Sequence, residues 1–213
     1  MVFRWKLAQW LELKWWKNYL SDKSKEEYLT WKKNYWKAIL NKVSELTEVD
    51  SSKTVCDLGC GPAGIFIAFP VNKVTCVDPL IDVYEKQTSF FRKVDYSNAT
   101  FVQSTMEEFL VKEKFDLVFC MNAINHVRDI AKGFDKLEEL CADGGSVILS
   151  IDAHNLSLFK YLFRLLPGDF LHPHQYDLAE YKLFLEKRGM KVLKTELLKK
   201  EFFFDHYLII AQK

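Results

Sequence analysis

What the sequence has little of narrows it first. Neither sign of charge dominates: 30 Lys and Arg against 29 Asp and Glu leave a net charge of +1. Nucleic-acid binders carry a basic excess, so this balance argues against such a partner. The five cysteines, Cys56, Cys60, Cys76, Cys120 and Cys141, form no paired C-x-x-C arrangement. That removes the usual zinc scaffold. An odd cysteine count without a secretory leader suits a reducing compartment, and the expected location is the cytoplasm. No apolar run approaches the ~20 residues that cross a bilayer. There is no internal repeat and no low-complexity linker. What remains is a globular composition, 49% hydrophobic and 15% aromatic over 213 residues. That is enough for one well-buried domain, or one domain with an appendage.

One stretch organises the rest: Lys53-Thr54-Val55-Cys56-Asp57-Leu58-Gly59-Cys60-Gly61-Pro62-Ala63-Gly64. It reads as a buried strand ending in an acid, a glycine loop and a short apolar helix. Small and β-branched residues suit a strand covered on both faces. The glycines permit torsions that side chains forbid and let a ligand touch the main chain. Free N–H groups at a helix start would face whatever lies over the loop.

Before this cradle lie two helices. In residues 1–20, Phe3, Trp5, Trp10, Trp15, Trp16 and Tyr19 alternate with Arg4, Lys6, Lys14 and Lys17. Three readings stand: packing onto the domain, a lid whose aromatics line a substrate pocket, or a basic Trp-rich helix on a membrane surface. Glu12 and scattered polar positions spoil a clean apolar face and weigh against the membrane. Ser24-x-x-Glu27 is a capping box that starts a second helix, whose Tyr28, Trp31, Tyr35, Trp36, Ile39, Leu40, Val43 and Leu46 recur at helical spacing.

From Lys53 onward strand and helix alternate. Strands are predicted at 53–57, 73–78, 99–103, 115–121 and 145–151, and helices near 63–69, 80–93, 105–112, 129–142 and 177–188. Asp177-x-x-Glu180 is another capping box and Gly189 a helix stop. The alternation means a doubly wound parallel α/β sheet, with ligands bound at the carboxyl edge of its strands. Residues 190–198 and 202–211 then form two consecutive strands without a helix between them, so the seven-stranded, mostly parallel sheet should finish in an antiparallel hairpin. Residues 1–50 are assigned to the helical extension or lid, and 51–213 to the main domain. Residues 153–176 are a lid insertion.

Gly59-x-Gly61-x-x-Gly64 fits the dinucleotide fingerprint. Three features point elsewhere. Asp57 would repel a pyrophosphate but suits an ammonium group. Pro62 removes an N–H that a pyrophosphate would use. A closing hairpin does not belong to a dinucleotide-binding domain. In combination, Val55 to Gly64, Val77-Asp78-Pro79, Phe115 to Phe119 with Asn122 through His126, and Tyr207 to Ala211 resemble the Rossmann-like (class I) S-adenosylmethionine-dependent methyltransferases. The resemblance covers residues 53–213 and implies the cofactor S-adenosyl-L-methionine. It implies that Asp57 faces the methionine ammonium and that the main chain at Gly59 and Gly61 passes under the cofactor. Asp78 would accept both ribose hydroxyls, Pro79 and Leu80 would wall the adenine, and Thr105, Met106 and Glu107 would border its edge. Many relatives carry an Asp near Thr105; this chain does not. Asn122 would lie near the transferred methyl group. The family's metal-dependent quinone-type members carry acidic residues around this point; Asn122 and Asn125 stand here instead, so the resemblance implies no metal. The alternative for Asp57 and Asp78 is that each caps the helix after its strand.

Methyl transfer asks for alignment, exclusion of water and, for some acceptors, a general base. His126 is the base expected from position, with structural support as the alternative. His172 and His174, in His172-Pro173-His174-Gln175-Tyr176, either line a substrate lid or bond main chain around a turn. His154 and His206 draw no assignment. No D/N-P-P-Y/F stands after the fourth strand, and Cys120 lacks the Pro-Cys context of cytosine-C5 enzymes. The expected acceptor is therefore a small, partly apolar molecule. The rivals are an RNA or protein acceptor docked through the Trp/Lys helices, and a regulatory protein that binds cofactor without turnover.

Overall fold

The computed structural model describes residues 2–110, 113–155, 174 and 176–213, with backbone alone at 2–6 and 8. The described strands form a seven-stranded sheet in the order β3-β2-β1-β4-β5-β7-β6. They are β1 (Val55–Leu58), β2 (Val74–Val77), β3 (Ala99–Val102), β4 (Phe115–Met121), β5 (Cys141–His154), β6 (Lys191–Lys200) and β7 (Phe204–Gln212). β1 to β5 pair in parallel, while β7 runs antiparallel to both β5 and β6. The hairpin expected at the end of the chain is thus formed by β6 and β7, with β7 inserted between β5 and the edge strand β6. The central strand β1 is buried at every position, as a strand covered on both faces must be.

The helices are α1 (Val2–Ser21), α2 (Lys25–Ser44), α3 (Ile81–Gln87), α4 (Ile130–Leu140) and α5 (Leu178–Glu186). The Ser24 hydroxyl accepts from the Glu27 N–H, and at α5 both halves of the Asp177–Glu180 capping box close at 2.9 Å. Two cores flank the sheet. On one face Val55, Phe119, Met121, Ile148, Leu208 and Ile210 meet Trp36, Ile39 and Val43 of α2. On the other, Cys56, Leu58, Val118, Leu149 and Ile209 meet Phe134 and Leu137 of α4 and Tyr181 and Leu185 of α5. The period of two along each strand therefore sorts the buried side chains to one core or the other. All five cysteines are buried free thiols, and Cys56, Cys76 and Cys120 lie in strands.

Three expected helices differ. Residues 63–69 are not an α-helix but 3-10 turns at Gly61–Ala63 and Ile65–Ala68. Gly64, extended at φ −69° and ψ −174°, separates them, so no i→i−4 ladder can pass through. The helix expected over 80–93 ends at Gln87, where Thr88 turns extended and its hydroxyl bonds the Tyr84 carbonyl. In place of the helix over 105–112, Met106–Glu108 form a turn closed by Phe109 N–H to Thr105 O at 3.0 Å, and 111–112 lie outside the described residues. β5 is also longer than expected, running from Cys141 and taking the Gly144-Gly145 turn into the strand.

Candidate active site

Right-handed crossovers bring the carboxyl ends of β1, β2, β4 and β5 to one edge, and α1 and α2 cover the same edge. Between them lies a cavity of about 520 Å³. Of the residues singled out for the cofactor, Asp57, Gly59, Gly61, Asp78, Pro79, Thr105, Met106, Glu107 and Asn122 line it, together with His126, while Leu80, expected beside Pro79 as an adenine wall, does not.

The two acids are almost inaccessible, at 1% for Asp57 and 4% for Asp78. Asp57 Oδ2 accepts the Phe66 N–H at 3.1 Å. Asp78 Oδ2 accepts the Gly61 N–H at 2.9 Å and Oδ1 the Leu80 N–H at 2.7 Å. Each acid thus also serves the turn after its strand, so the capping alternative describes part of what they do. Burial pushes the Asp57 carboxyl up to about 7 against the Phe66 hydrogen bond, and the neighbouring Asp78 charge adds to the rise. Burial likewise raises Asp78 to about 6, against the Leu80 and Gly61 N–H groups.

The glycine loop is held by shape. Gly59 has φ +70°, and a Cβ on it would meet Ala123 Cβ at 2.3 Å. Gly61 has φ +55°, and a Cβ there would stand 3.6 Å from the Trp16 ring of α1. At the end of β4, Asn122 adopts φ +53°, a conformation that costs a non-glycine residue of order 1–3 kcal/mol and persists at functional sites. The turn after β3 is closed by Thr105 Oγ1, which accepts the Glu108 N–H at 3.2 Å, and is tied to the loop before α4 by Glu107 Oε1, which accepts the Arg128 N–H at 2.7 Å.

The two N-terminal helices also line the cavity. Trp15 and Trp16 of α1 do so, as in the lid reading of that helix. With them come Gln9 and Glu12 of α1 and Lys32, Tyr35 and Trp36 of α2, to which the sequence reading assigns no site role. The Trp36 indole N–H donates to the Ala63 carbonyl at 3.0 Å and pins α2 to the loop. Lys32 Nζ lies 4.3 Å from the Trp36 ring centroid, and burial lowers its ammonium to about 8 against the pull of Asp57. Gln9 Nε2 is buried without a hydrogen-bond partner among the described residues. From the hairpin comes His206, whose Nδ1 lies 2.6 Å from Asp152 Oδ1. The helical spacing of α2 hid Lys32 among solvent-facing lysines, and strand parity, the one available signal for Asp152 and His206, needs a register that the sequence does not carry.

His174 does not line the cavity; its Nε2 donates to the Val127 carbonyl at 2.7 Å, the main-chain alternative of the two readings. His172 lies outside the described residues, as does most of the expected 153–176 insertion. Among the described residues no His, Cys, Asp and Glu cluster could hold a metal, and no helix is long and apolar enough to cross a membrane.

A methyltransferase-domain family model matches residues 28–195, more than three quarters of the chain. Among curated relatives, a ubiquinone biosynthesis O-methyltransferase of Rickettsia typhi is 28% identical over 125 residues, 57% of this chain and 49% of that protein. One of Aromatoleum aromaticum is 30% identical over 131 residues, 57% of this chain and 52% of that protein. The chain thus spans about half the length of the curated relatives it matches. Solved structures share the fold at low identity. The YcgJ protein of Bacillus subtilis aligns at TM-score 0.66 and 17% identity over 82% of this chain and 97% of its own. Magnesium protoporphyrin IX methyltransferase of Synechocystis PCC 6803, solved with bound S-adenosylhomocysteine, aligns at 0.66 and 18% over 95% and 94%. Sheet order, glycine loop, paired acids and family match agree, and the chain belongs to the Rossmann-like (class I) S-adenosylmethionine-dependent methyltransferase family.

Proposed function

We propose that this chain binds S-adenosylmethionine in the cavity and transfers its methyl group to a small-molecule acceptor. The observation that carries this reading is the pair of buried acids, Asp57 and Asp78, set on either side of the glycine loop beneath the cavity. The donor set fits the cofactor. The Asp78 carboxylate has about four acceptor sites, two of them taken by N–H groups, which leaves two for ribose hydroxyls. Asp57 offers negative charge to an ammonium group. Lys32 and the unpartnered Gln9 Nε2 offer cation and donor to a carboxylate. Pro79, Val77 and Met106 supply an apolar wall. When bound, the cofactor supplies an already electrophilic methyl group on a sulfonium.

The chain's own work is alignment and exclusion of water. α1 and α2 close the cavity with Trp15, Trp16, Tyr35 and Trp36, and residues 1–50 serve as its lid. Toward the acceptor lie Met121, Asn122, His126 and Ser150. A cavity of this size, in the range of small-molecule sites, supports a small acceptor. So do the relatives named for ubiquinone biosynthesis and magnesium protoporphyrin IX.

The experiment is calorimetric titration with S-adenosylhomocysteine, followed by transfer of labelled methyl from S-adenosylmethionine to fractionated extract. Saturable binding and label in a low-molecular-weight fraction are expected. Binding of NADH instead would overturn the cofactor. Label in RNA or protein that depends on residues 1–45 would overturn the acceptor class.

A further inference from the structure

We propose that Asp152 and His206 form the general base of the acceptor end, taking the proton from the hydroxyl of a phenol-type acceptor. This rests on the methyl-transfer reading above and names the acceptor chemistry within it.

Strand register places the pair. Asp152 of β5 is directly opposite His206 of β7, so both side chains leave the same face of the sheet. Two residues along, Ser150 is opposite Leu208, and Leu208 packs in the core that contains Trp36 and Ile39 of α2. Asp57 stands on that face too, because its neighbours Cys56 and Leu58 point into the opposite core. β5 is parallel to β1 and β7 antiparallel, so the end of one and the start of the other meet at the ligand edge. The dyad therefore lies on the cofactor's face, at the cofactor's edge, and His206 lines the same cavity.

The contact has the form of a base with its orienter. A carboxylate only accepts, so His206 Nδ1 carries the hydrogen in the 2.6 Å bond to Asp152 Oδ1. In the neutral ring Nε2 then bears the lone pair. The His206 side chain is 19% accessible, covered but not sealed. Other charged or titratable groups face the pair from its neighbours. Tyr35 of α2 has its phenol raised by burial and by the Asp152 charge, and Lys199 of β6 is the ladder partner of His206.

The proton balance selects the acceptor. The hydroxyl oxygen forms the C–O bond with a lone pair, and the C–S bond breaks with its electrons left on sulfur. The hydroxyl proton passes to His206 Nε2, where Asp152 steadies the imidazolium, and then to water. A neutral imidazole is a useful base toward the acidic hydroxyl of a phenol and far too weak toward that of an alkanol. Tyr35, Trp36 and Met121 give a flat ring apolar walls.

The test uses the full chain saturated with S-adenosylhomocysteine and 4-nitrocatechol, whose phenolate absorbs in the visible. Wild type is expected to bind the probe as phenolate at a pH where the free probe is still protonated. His206→Asn, with His206→Gln as a second variant, should keep S-adenosylhomocysteine affinity and probe binding but lose that band. Asp152→Asn should move its onset to higher pH. Labelled methyl transfer to catechol should fall about 10²- to 10⁴-fold in the His206 variants. A phenolate band that survives both His206 variants overturns the proposal, as does one lost in His126→Asn alone. A probe that fails to bind the loaded wild type overturns the phenol assignment. Failure of wild type to bind S-adenosylhomocysteine is a separate result and overturns the methyl-transfer reading itself.

Discussion

The Asp78 carboxylate holds the Gly61 N–H at 2.9 Å and thereby ties the end of β2 to the loop that follows β1. The acid is thus oriented before any ligand arrives. Asp78→Ala would strip acceptors from two buried N–H groups, at about 1–3 kcal/mol, and remove the ribose acceptor besides. S-adenosylhomocysteine affinity should fall at least about 100-fold, equivalent to ~2.7 kcal/mol. Asp78→Asn keeps one acceptor and should lose less stability than Asp78→Ala while still binding far more weakly than wild type. Calorimetry beside thermal melts separates the two effects, and wild-type affinity in Asp78→Ala would refute the assignment.

Gly64 offers a steric test of Asp57. Its φ of −69° suits any residue, yet a Cβ would lie 2.4 Å from Asp57 Oδ2 and 2.4 Å from the Cys60 carbonyl. Gly64→Ala must displace the acid or the loop, at an overpacking cost of about 1–3 kcal/mol. Affinity for S-adenosylhomocysteine should drop at least about 10-fold, or ~1.4 kcal/mol. Gly189→Ala is the contrast: φ is +77° but a Cβ would meet nothing within 4 Å. It should cost only the torsional penalty of about 1–2 kcal/mol and leave affinity unchanged.

The buried acids give the ligand-free protein a specific pH response. Asp57 holds its proton up to about 7 in the fold and loses it from 3.8 when unfolded. Between those values the native state binds more protons, so this group's contribution to stability falls as pH rises. Asp78, raised to about 6, acts in the same direction. Lys32 acts later and oppositely: the folded ammonium deprotonates near 8 and the unfolded one near 10.5, so its contribution to stability rises across that window. Asp57→Asn should therefore be more stable than wild type at pH 7.5, by of order 1 kcal/mol or more, with the gap closing toward pH 4. Denaturant melts across pH 4–8 measure it. A constant gap, or a less stable variant at pH 7.5, would refute the account.

Asp57 and Asp78 could be found in the sequence because each ends a run of β-branched and small residues, and strand ends are where a doubly wound sheet binds ligands. The parallel sheet and its closing hairpin followed from the pattern of strands and helices, whereas the spatial order β3-β2-β1-β4-β5-β7-β6 is not carried by alternation. The turns did not follow. The apolar run 65–69 fits a helix by composition, and only the extended Gly64 forbids one. The stretch after Thr105 likewise closes a single turn, because the Glu107 side chain reaches out to the Arg128 N–H. Lys32, Gln9 and His206 were illegible for a different reason. Each reaches the site through docking or register between segments far apart in the chain, which local periodicity does not encode.

Trp36 is where that docking can be tested. Its N–H bond to the Ala63 carbonyl joins α2 to the loop beneath the cavity, and Lys32 lies over its ring one helical turn away. Trp36→Phe keeps an aromatic ring but leaves the carbonyl without this donor, at about 1–3 kcal/mol. If α2 positions Lys32 through Trp36, S-adenosylhomocysteine affinity should fall as well, about 10-fold, equivalent to ~1.4 kcal/mol. Trp31→Phe, on the exposed side of the same helix, should change neither quantity appreciably. The decisive measurement is the double variant with Lys32→Met. Residues acting through one another are non-additive, so once Lys32 is gone the Trp36 change should cost little further affinity. Full additivity would mean that Trp36 only stabilises the fold and that Lys32 finds its place without it.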